Sequence, residues 1–277
     1  MSNVSSIIGK GAIDLTIGLL MSGIVLGAEK ILRKRRKLRA LKDLSWLFPM
    51  SQEKPEMDFH CSLKPGDRYG DHYNDFGSDQ ALLTEFFGRN PSTYRRYVHS
   101  AEVLALQMIT EKLSPLGVRF SYGGFYGSAA SNRNLLLIGS DSNNPMSKTT
   151  LEFLTNRIDH AQPDEGGHKY FQSGGVKFEC AHESVAGGPD KVTRDVGVIV
   201  RRTLAEGNII LLLAGIHMHG TLAAAQVALN PAFQRRVLTH KYPSFAQLVR
   251  VRVLGDGCSI DPSSLDEWMD LPFVNLE

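Results

Sequence analysis

The chain has 277 residues, of which 42% are hydrophobic and 22% charged, with 26 glycines and 12 prolines. This composition is that of an ordinary globular protein, and it excludes a wholly disordered chain, a collagen and a small disulfide-rich scaffold. The formal net charge of +2 hides an asymmetry, because residues 1–43 contain nine Lys or Arg and three acidic residues, whereas the remaining chain contains 22 basic and 26 acidic ones. A protein that binds nucleic-acid polymers over its whole surface is therefore not expected.

The first predicted element is a hydrophobic helix over residues 11–28, in which Asp14 is the one ionisable residue. Eighteen helical residues span about 27 Å, close to the roughly 30 Å of a bilayer hydrocarbon core. A dense run of Lys and Arg follows at 30–42. The positive-inside rule then predicts a single-pass membrane protein with a cytoplasmic carboxyl-terminal domain. A helix lying on a membrane surface or packing in an oligomer, and a soluble core helix, remain alternatives.

Small residues in this helix favour close contact with other helices. Gly23 and Gly27 form a GxxxG step, and Gly18 and Ser22 repeat the same spacing. Such spacing lets two helices approach closely in a membrane. A carboxyl group such as that of Asp14 usually faces a partner helix or water. We therefore expect a homo-oligomer whose basic flank contacts anionic membrane lipid, at about 1 kcal/mol per nearby basic residue.

The body of the chain predicts a linker followed by one domain. Proline and glycine without sustained periodicity indicate an irregular linker over 44–78, and residues 79–277 form the cytoplasmic domain. Helices are predicted over 78–88, 92–113, 147–157 and 220–229, strands over 118–122, 134–138, 196–201 and 209–214, an edge strand over 248–254, and a hairpin from 168–172 and 176–180. Apolar strands that lead into helices predict an α/β fold with a Rossmann-like, mostly parallel sheet and flanking helices, preceded by the amino-terminal hydrophobic helix.

Two loops follow the most apolar strands and are the candidate ligand-binding sites. In open α/β sheets, ligands bind beyond the carboxyl ends of the strands. The first loop contributes Gly139, Ser140, Asn143 and Asn144, and the second contributes Gly215, His217, His219, Gly220 and Thr221. Their glycines and polar side chains suit phosphate, ribose or nucleobase contacts, although capped structural turns use the same residues.

Other chemistry is weakly supported. His217 and His219 lack a third ligand nearby in the sequence, so no metal is predicted. The P-loop, GxGxxG and GxSxG patterns are absent, His182-Glu183 lacks the second histidine of a HExxH site, and no catalytic residue or cofactor is predicted. Arg194, Arg201 and Arg202 are either an anion clamp or solvated charges. The three cysteines, Cys61, Cys180 and Cys258, form no disulfide or zinc-ribbon spacing, which favours a reducing compartment.

One predicted strand ends in Gly, and Gly220-Thr221 then begin an Ala-rich helix. This arrangement resembles Rossmann-like nucleotide-handling domains of the SLOG, TIR and nucleoside deoxyribosyltransferase group. The resemblance covers roughly 134–229. Members of the group that cleave glycosidic bonds carry a Glu on the helix after the Gly-Thr loop, whereas residues 222–226 here read LAAAQ. The resemblance therefore implies binding of a small nucleotide more than its cleavage.

Joined to a membrane helix, such a domain resembles effectors of bacterial antiphage signalling systems. This resemblance implies a protein of the bacterial inner membrane that binds a nucleotide-type signal, oligomerises and disrupts the membrane. The alternatives are a membrane-tethered nucleoside or NAD hydrolase and a membrane-anchored scaffold.

Overall fold

The computed structural model describes residues 42, 44–48, 55–61, 64–65, 96–97, 100–122, 133–139, 145–154, 157–161, 169–185, 191–254 and 259–277. The chain divides into two compact units, Met1–Ser45 and Trp46–Glu277. Outside the described residues lie the predicted hydrophobic helix with Asp14, Gly18, Ser22, Gly23 and Gly27, the predicted helix at 78–88, and the loop residues Ser140, Asn143 and Asn144. Within the described ranges, no helix is long and apolar enough to cross a membrane.

The described part of the second unit contains both strands and helices. The strands are β1 Glu56–Cys61, β2 Lys64–Pro65, β3 Arg96–Tyr97, β4 Arg119–Tyr122, β5 Asn134–Ile138, β6 Asp159–Ala161, β7 Tyr170–Ser173, β8 Val176–Glu179, β9 Ala181–Glu183, β10 Lys191–Thr203, β11 Ile209–Gly215, β12 Phe245–Arg252 and β13 Phe273–Asn275. The α-helices are α1 Ser100–Leu113, α2 Pro145–Glu152, α3 Met218–Ala228 and α4 Pro231–His240, and 3-10 helices cover Ser114–Leu116 and Pro262–Asp270.

The central sheet has the order β13-β12-β10-β11-β5-β1-β4, with β9 paired to β10. From β11 to β4 all neighbours are parallel. The pairs of β10 with β9, β11 and β12, and of β12 with β13, are antiparallel. Six of these eight strands therefore point in one direction, and β10 and β13 point in the other. The predicted mixed α/β fold with a mostly parallel sheet and flanking helices is confirmed at this level.

Both faces of the sheet are covered. Helix α3 contacts β10, β11 and β12, and α1 packs beside it. A second cluster joins Leu135 and Leu137 of β5 to Leu151 of α2 and to Phe171 and Phe178 of the small sheet β6-β7-β8. Side chains alternate between the two faces of a strand, so a strand between two such layers is apolar throughout. This accounts for the sequence Leu-Leu-Leu-Ile in β5, which is buried at every position.

Three expectations differ from the structure. β1 lies in the centre of the parallel half, within the stretch predicted to be an irregular linker, because its six residues are mixed polar and apolar and look unlike a core strand. β12 begins at Phe245, three residues before the predicted start, and β13 pairs with its first three residues, Phe245 to Gln247. Helix α1 begins at Ser100 and not at 92, because Arg96–Tyr97 pair with Lys64–Pro65. The predicted hairpin at 168–180 is confirmed by β7 and β8.

Candidate functional site

The two predicted ligand loops start side by side at one edge of the sheet. β5 and β11 are parallel neighbours, with Ile138 opposite Leu213. The Gly139 N–H donates to the Leu213 carbonyl at 3.0 Å. Gly139 has φ of 101°, a left-handed conformation that favours glycine, so the chain turns sharply as it leaves β5. We call this region, where β5 and β11 end, the carboxyl edge.

Beyond β11 the chain enters α3 earlier than predicted. The helix begins at Met218, which puts Gly220 and Thr221 in its first turn and leaves His217 as the residue before the helix. His219 and Thr221 are only 5% and 3% exposed. His217 is half-buried. Of the candidate ligand residues in this second loop, His217 is therefore the one whose side chain is most accessible.

The start of α3 already holds a carboxylate, that of Asp195 on β10. Its Oδ1 accepts the Val196 and His217 N–H groups at 2.8 and 3.2 Å, and its Oδ2 accepts the Gly220 N–H at 2.5 Å. Asp195 is 0% exposed. Free N–H groups at a helix start attract anions, and here a residue of the chain itself supplies the negative charge. The predicted attraction of this helix start for a phosphate is therefore already satisfied by Asp195.

The glycines of the second loop permit close packing between α3 and the sheet. A Cβ added to Gly220 would lie 2.4 Å from the Val196 carbonyl oxygen, and one added to Gly197 on β10 would lie 2.2 Å from the Gly220 oxygen. A Cβ on Gly215 would meet the Thr221 nitrogen at 2.4 Å. All of these contacts are with protein main chain. Gly215 and Gly220 thus have a packing role, whatever the ligand.

A pair of histidines lies at the same edge. The Nε2 atoms of His182 on β9 and of His217 are 3.4 Å apart, and their ring planes cross at 81°. Both side chains are half-buried. The two rings therefore present their nitrogens to each other next to the Asp195 cap. His219, the other histidine singled out in the sequence, is buried in α3 and does not belong to this pair.

Cys180 completes the polar surroundings of Asp195. Its thiol donates to Asp195 Oδ1 at 3.0 Å. Burial, and then the neighbouring Asp195 carboxylate, raise the pKa of the Cys180 thiol well above its usual range. The group is therefore a protonated hydrogen-bond donor at neutral pH and not a reactive thiolate.

The candidate arginine clamp is not assembled. Arg201 is buried, and its Nε donates to the Leu47 carbonyl at 2.8 Å while its guanidinium also donates to the Pro243 carbonyl. Arg202 stacks on the Phe153 ring at 3.6 Å. Arg201 and Arg202 pair with the first half of β11, away from the carboxyl edge. Arg194 lies near the start of β10, opposite Arg252 of β12, and is exposed. Arg201 and Arg202 hold main chain and an aromatic ring, so they are not free for an anion.

Sequence reasoning missed Asp195, Cys180 and the partnership of His182 with His217. These four residues belong to separate strands or loops, and the antiparallel pairing of β10 with β9 on one side and with β11 on the other brings them together. The described ranges contain no group of three or more His, Cys, Asp or Glu side chains that could hold a metal ion. No protein-family model, no curated protein and no solved structure matches the chain.

Proposed function

We propose that the chain is a membrane-anchored sensor whose body binds a small nucleotide-type ligand at the carboxyl edge, and that binding drives self-association and membrane disruption. The observation that carries this proposal is the junction of the two loops, where the Gly139 N–H meets the Leu213 carbonyl at 3.0 Å. Loops that follow adjacent parallel strands form the usual ligand crevice of a Rossmann-like sheet.

The ligand is expected to avoid the start of α3. Its N–H groups at positions 217 and 220 are bound to Asp195, so a phosphate there would meet a buried carboxylate. The negative charges of a phosphate and of the Asp195 carboxylate would repel strongly in a low-dielectric site. The contacts left for a ligand are the loop that begins at Gly139 and the half-buried ring of His217. Ribose and base groups suit such a surface.

The amino-terminal segment supplies the output in this proposal. Residues 1–43 carry a formal charge of +6 beside the hydrophobic run at 11–28, which suits attachment to anionic lipid. A ligand shifts assembly only by its differential affinity for the assembled and unassembled states. The two loops therefore have to differ in conformation or in packing between these two states.

The test uses the full chain reconstituted in dye-loaded vesicles of phosphatidylethanolamine and phosphatidylglycerol. We expect at least one of ATP, NAD and cyclic di-AMP to bind and to increase dye release, and His217→Ala to weaken both effects. His240→Ala is the matched control, because His240 is exposed at the end of α4, before β12 begins at the opposite edge of the sheet.

Two outcomes would overturn the proposal. Absence of both binding and dye release with every nucleotide would remove the sensing function. Steady hydrolysis of NAD or of a nucleoside by the wild-type chain would favour the membrane-tethered hydrolase instead.

A further inference from the structure

We propose that His182 and His217 bind one divalent transition-metal ion through their Nε2 atoms, with the remaining coordination positions open. The two nitrogens are 3.4 Å apart. Two imidazole nitrogens on one tetrahedral Zn²⁺, each about 2.0–2.1 Å from the metal, lie about 3.3 Å from each other. A metal ion therefore fits between the two rings with almost no change in their separation.

The same distance is long for a direct hydrogen bond between the rings. Protein N–H donors usually lie about 2.7–3.2 Å from their acceptors. The ring centroids are 5.4 Å apart, farther than the nitrogens, so the rings meet through their Nε2 corners and do not stack. The geometry thus matches two ligands that point at a shared atom better than it matches a strong donor–acceptor pair.

Both histidines are held by the same strand, β10. His182 lies opposite Val192 in the antiparallel pair of β9 and β10. On the other side, the Ile216 N–H donates to the Val196 carbonyl at 2.9 Å, and the His217 N–H donates to the Asp195 carboxylate at 3.2 Å. Because one strand anchors both histidine-bearing segments, the separation of the two rings is set by the fold. Preorganised ligands lose little entropy when a metal binds.

The donor set selects the class of metal. Imidazole nitrogen suits Zn²⁺, Cu²⁺ and Ni²⁺, whereas Mg²⁺ and Ca²⁺ prefer oxygen. The Cys180 thiol already donates to Asp195 Oδ1 at 3.0 Å, so the two imidazoles are the ligands of this proposal. Two protein ligands leave positions for water or for an anionic group of a bound molecule. The proposal does not depend on nucleotide binding, since it concerns the metal alone.

The experiment titrates Zn²⁺ into the full chain, untagged, in detergent micelles and without nucleotide, after metal has been removed with a chelator. By calorimetry we expect the chain to bind one equivalent of Zn²⁺ in a saturable manner. His182→Ala and His217→Ala should each lower the Zn²⁺ affinity at least about tenfold. His240→Ala is the control and should keep it, and Mg²⁺ should not compete. Saturable binding that is equal in wild type and in both variants would overturn the site, as would the absence of saturable binding in the wild-type chain.

A second measurement does not rely on any variant folding. Diethyl pyrocarbonate modifies accessible imidazole nitrogens, and mass spectrometry locates the modified residues. In the wild-type chain, Zn²⁺ should protect His182 and His217 together and leave His240 as reactive as before. Equal modification of the pair with and without Zn²⁺ would contradict the proposal.

Discussion

Replacing Asp195 with Asn tests whether the carboxylate that caps α3 is a main determinant of stability. The substitution keeps the size of the side chain, and Oδ1 can still accept the Val196 and His217 N–H groups. The amide nitrogen then replaces Oδ2, which accepts the Gly220 N–H at 2.5 Å. Two donors therefore face each other at a fully buried position, and the negative charge at the helix start is lost.

The expected loss of stability is the sum of two effects. A buried N–H left without its acceptor costs about 1–3 kcal/mol. A negative charge at a helix start contributes about 0.3–1 kcal/mol at the surface and up to about 2 kcal/mol when buried. Together they predict that Asp195→Asn lowers the free energy of unfolding by about 1–5 kcal/mol. Turning the amide over would instead break the three hydrogen bonds that Oδ1 accepts, from the Val196 N–H, the His217 N–H and the Cys180 thiol.

Urea unfolding of the full chain in mild detergent, followed by tryptophan fluorescence, measures this loss. The chain has two tryptophans, Trp46 and Trp268, and each is only 1% exposed, so unfolding changes the surroundings of both. Asp261→Asn is the control, because Asp261 caps the 3-10 helix at Pro262 in contact with solvent. We expect a much smaller effect there. A change within about 0.5 kcal/mol of wild type for Asp195→Asn, the range of neutral surface substitutions, would show that the Asp195 cap adds little to stability.

Three further predictions concern the same half of the fold. Gly197→Ala should destabilise the chain by about 1–3 kcal/mol or more, and more than Gly207→Ala in the same unfolding assay, because its Cβ would meet the Gly220 oxygen at 2.2 Å whereas Gly207 has open space and only a strained φ of 81°. Arg201→Met should cost about 2–4 kcal/mol in urea unfolding, since it removes the donors to the Leu47 and Pro243 carbonyls, and an unchanged midpoint would show that these bonds add no stability. Iodoacetamide at pH 8, with sites mapped by mass spectrometry, should label Cys180 slowly in the native chain and faster in Asp195→Asn, because the carboxylate raises the pKa of the thiol; equal rates would contradict this coupling.

The elements that the sequence predicted well are those whose burial is uniform. β5 and β11 are apolar at almost every position because helices or sheets cover both faces, and their boundaries were predicted to within a residue. The turn of the β7–β8 hairpin was also predicted, since Gly174 and Gly175 both have positive φ. β1 was missed because its residues mix polar and apolar types although it lies between β4 and β5.

The candidate site was harder to predict because its polar contacts join distant parts of the chain. The sequence singled out Gly215 and Gly220, and their nearest neighbours turn out to be backbone atoms of the same loop and of β10. No local pattern marks Asp195 as the cap of a helix that starts at Met218. Asp195 reaches the helix start because β10 runs antiparallel to β11. The first half of β10 therefore lies beside the end of β11, where α3 follows.

That insertion also has a kinetic consequence. β10 and β11 are joined by a short turn, in which the Leu204 N–H donates to the Asn208 carbonyl at 2.8 Å, so their pairing closes only a small loop. β1 instead pairs Met57 with Asn134 and Glu56 with Arg119, across long stretches of chain. Folding slows as contacts become less local. We therefore expect pulsed hydrogen exchange to show protection of the β10–β11 hairpin before β1. β5 and β1, with the candidate loop that follows β5, would then form on a hairpin that already exists, and earlier protection of β1 would disprove this order.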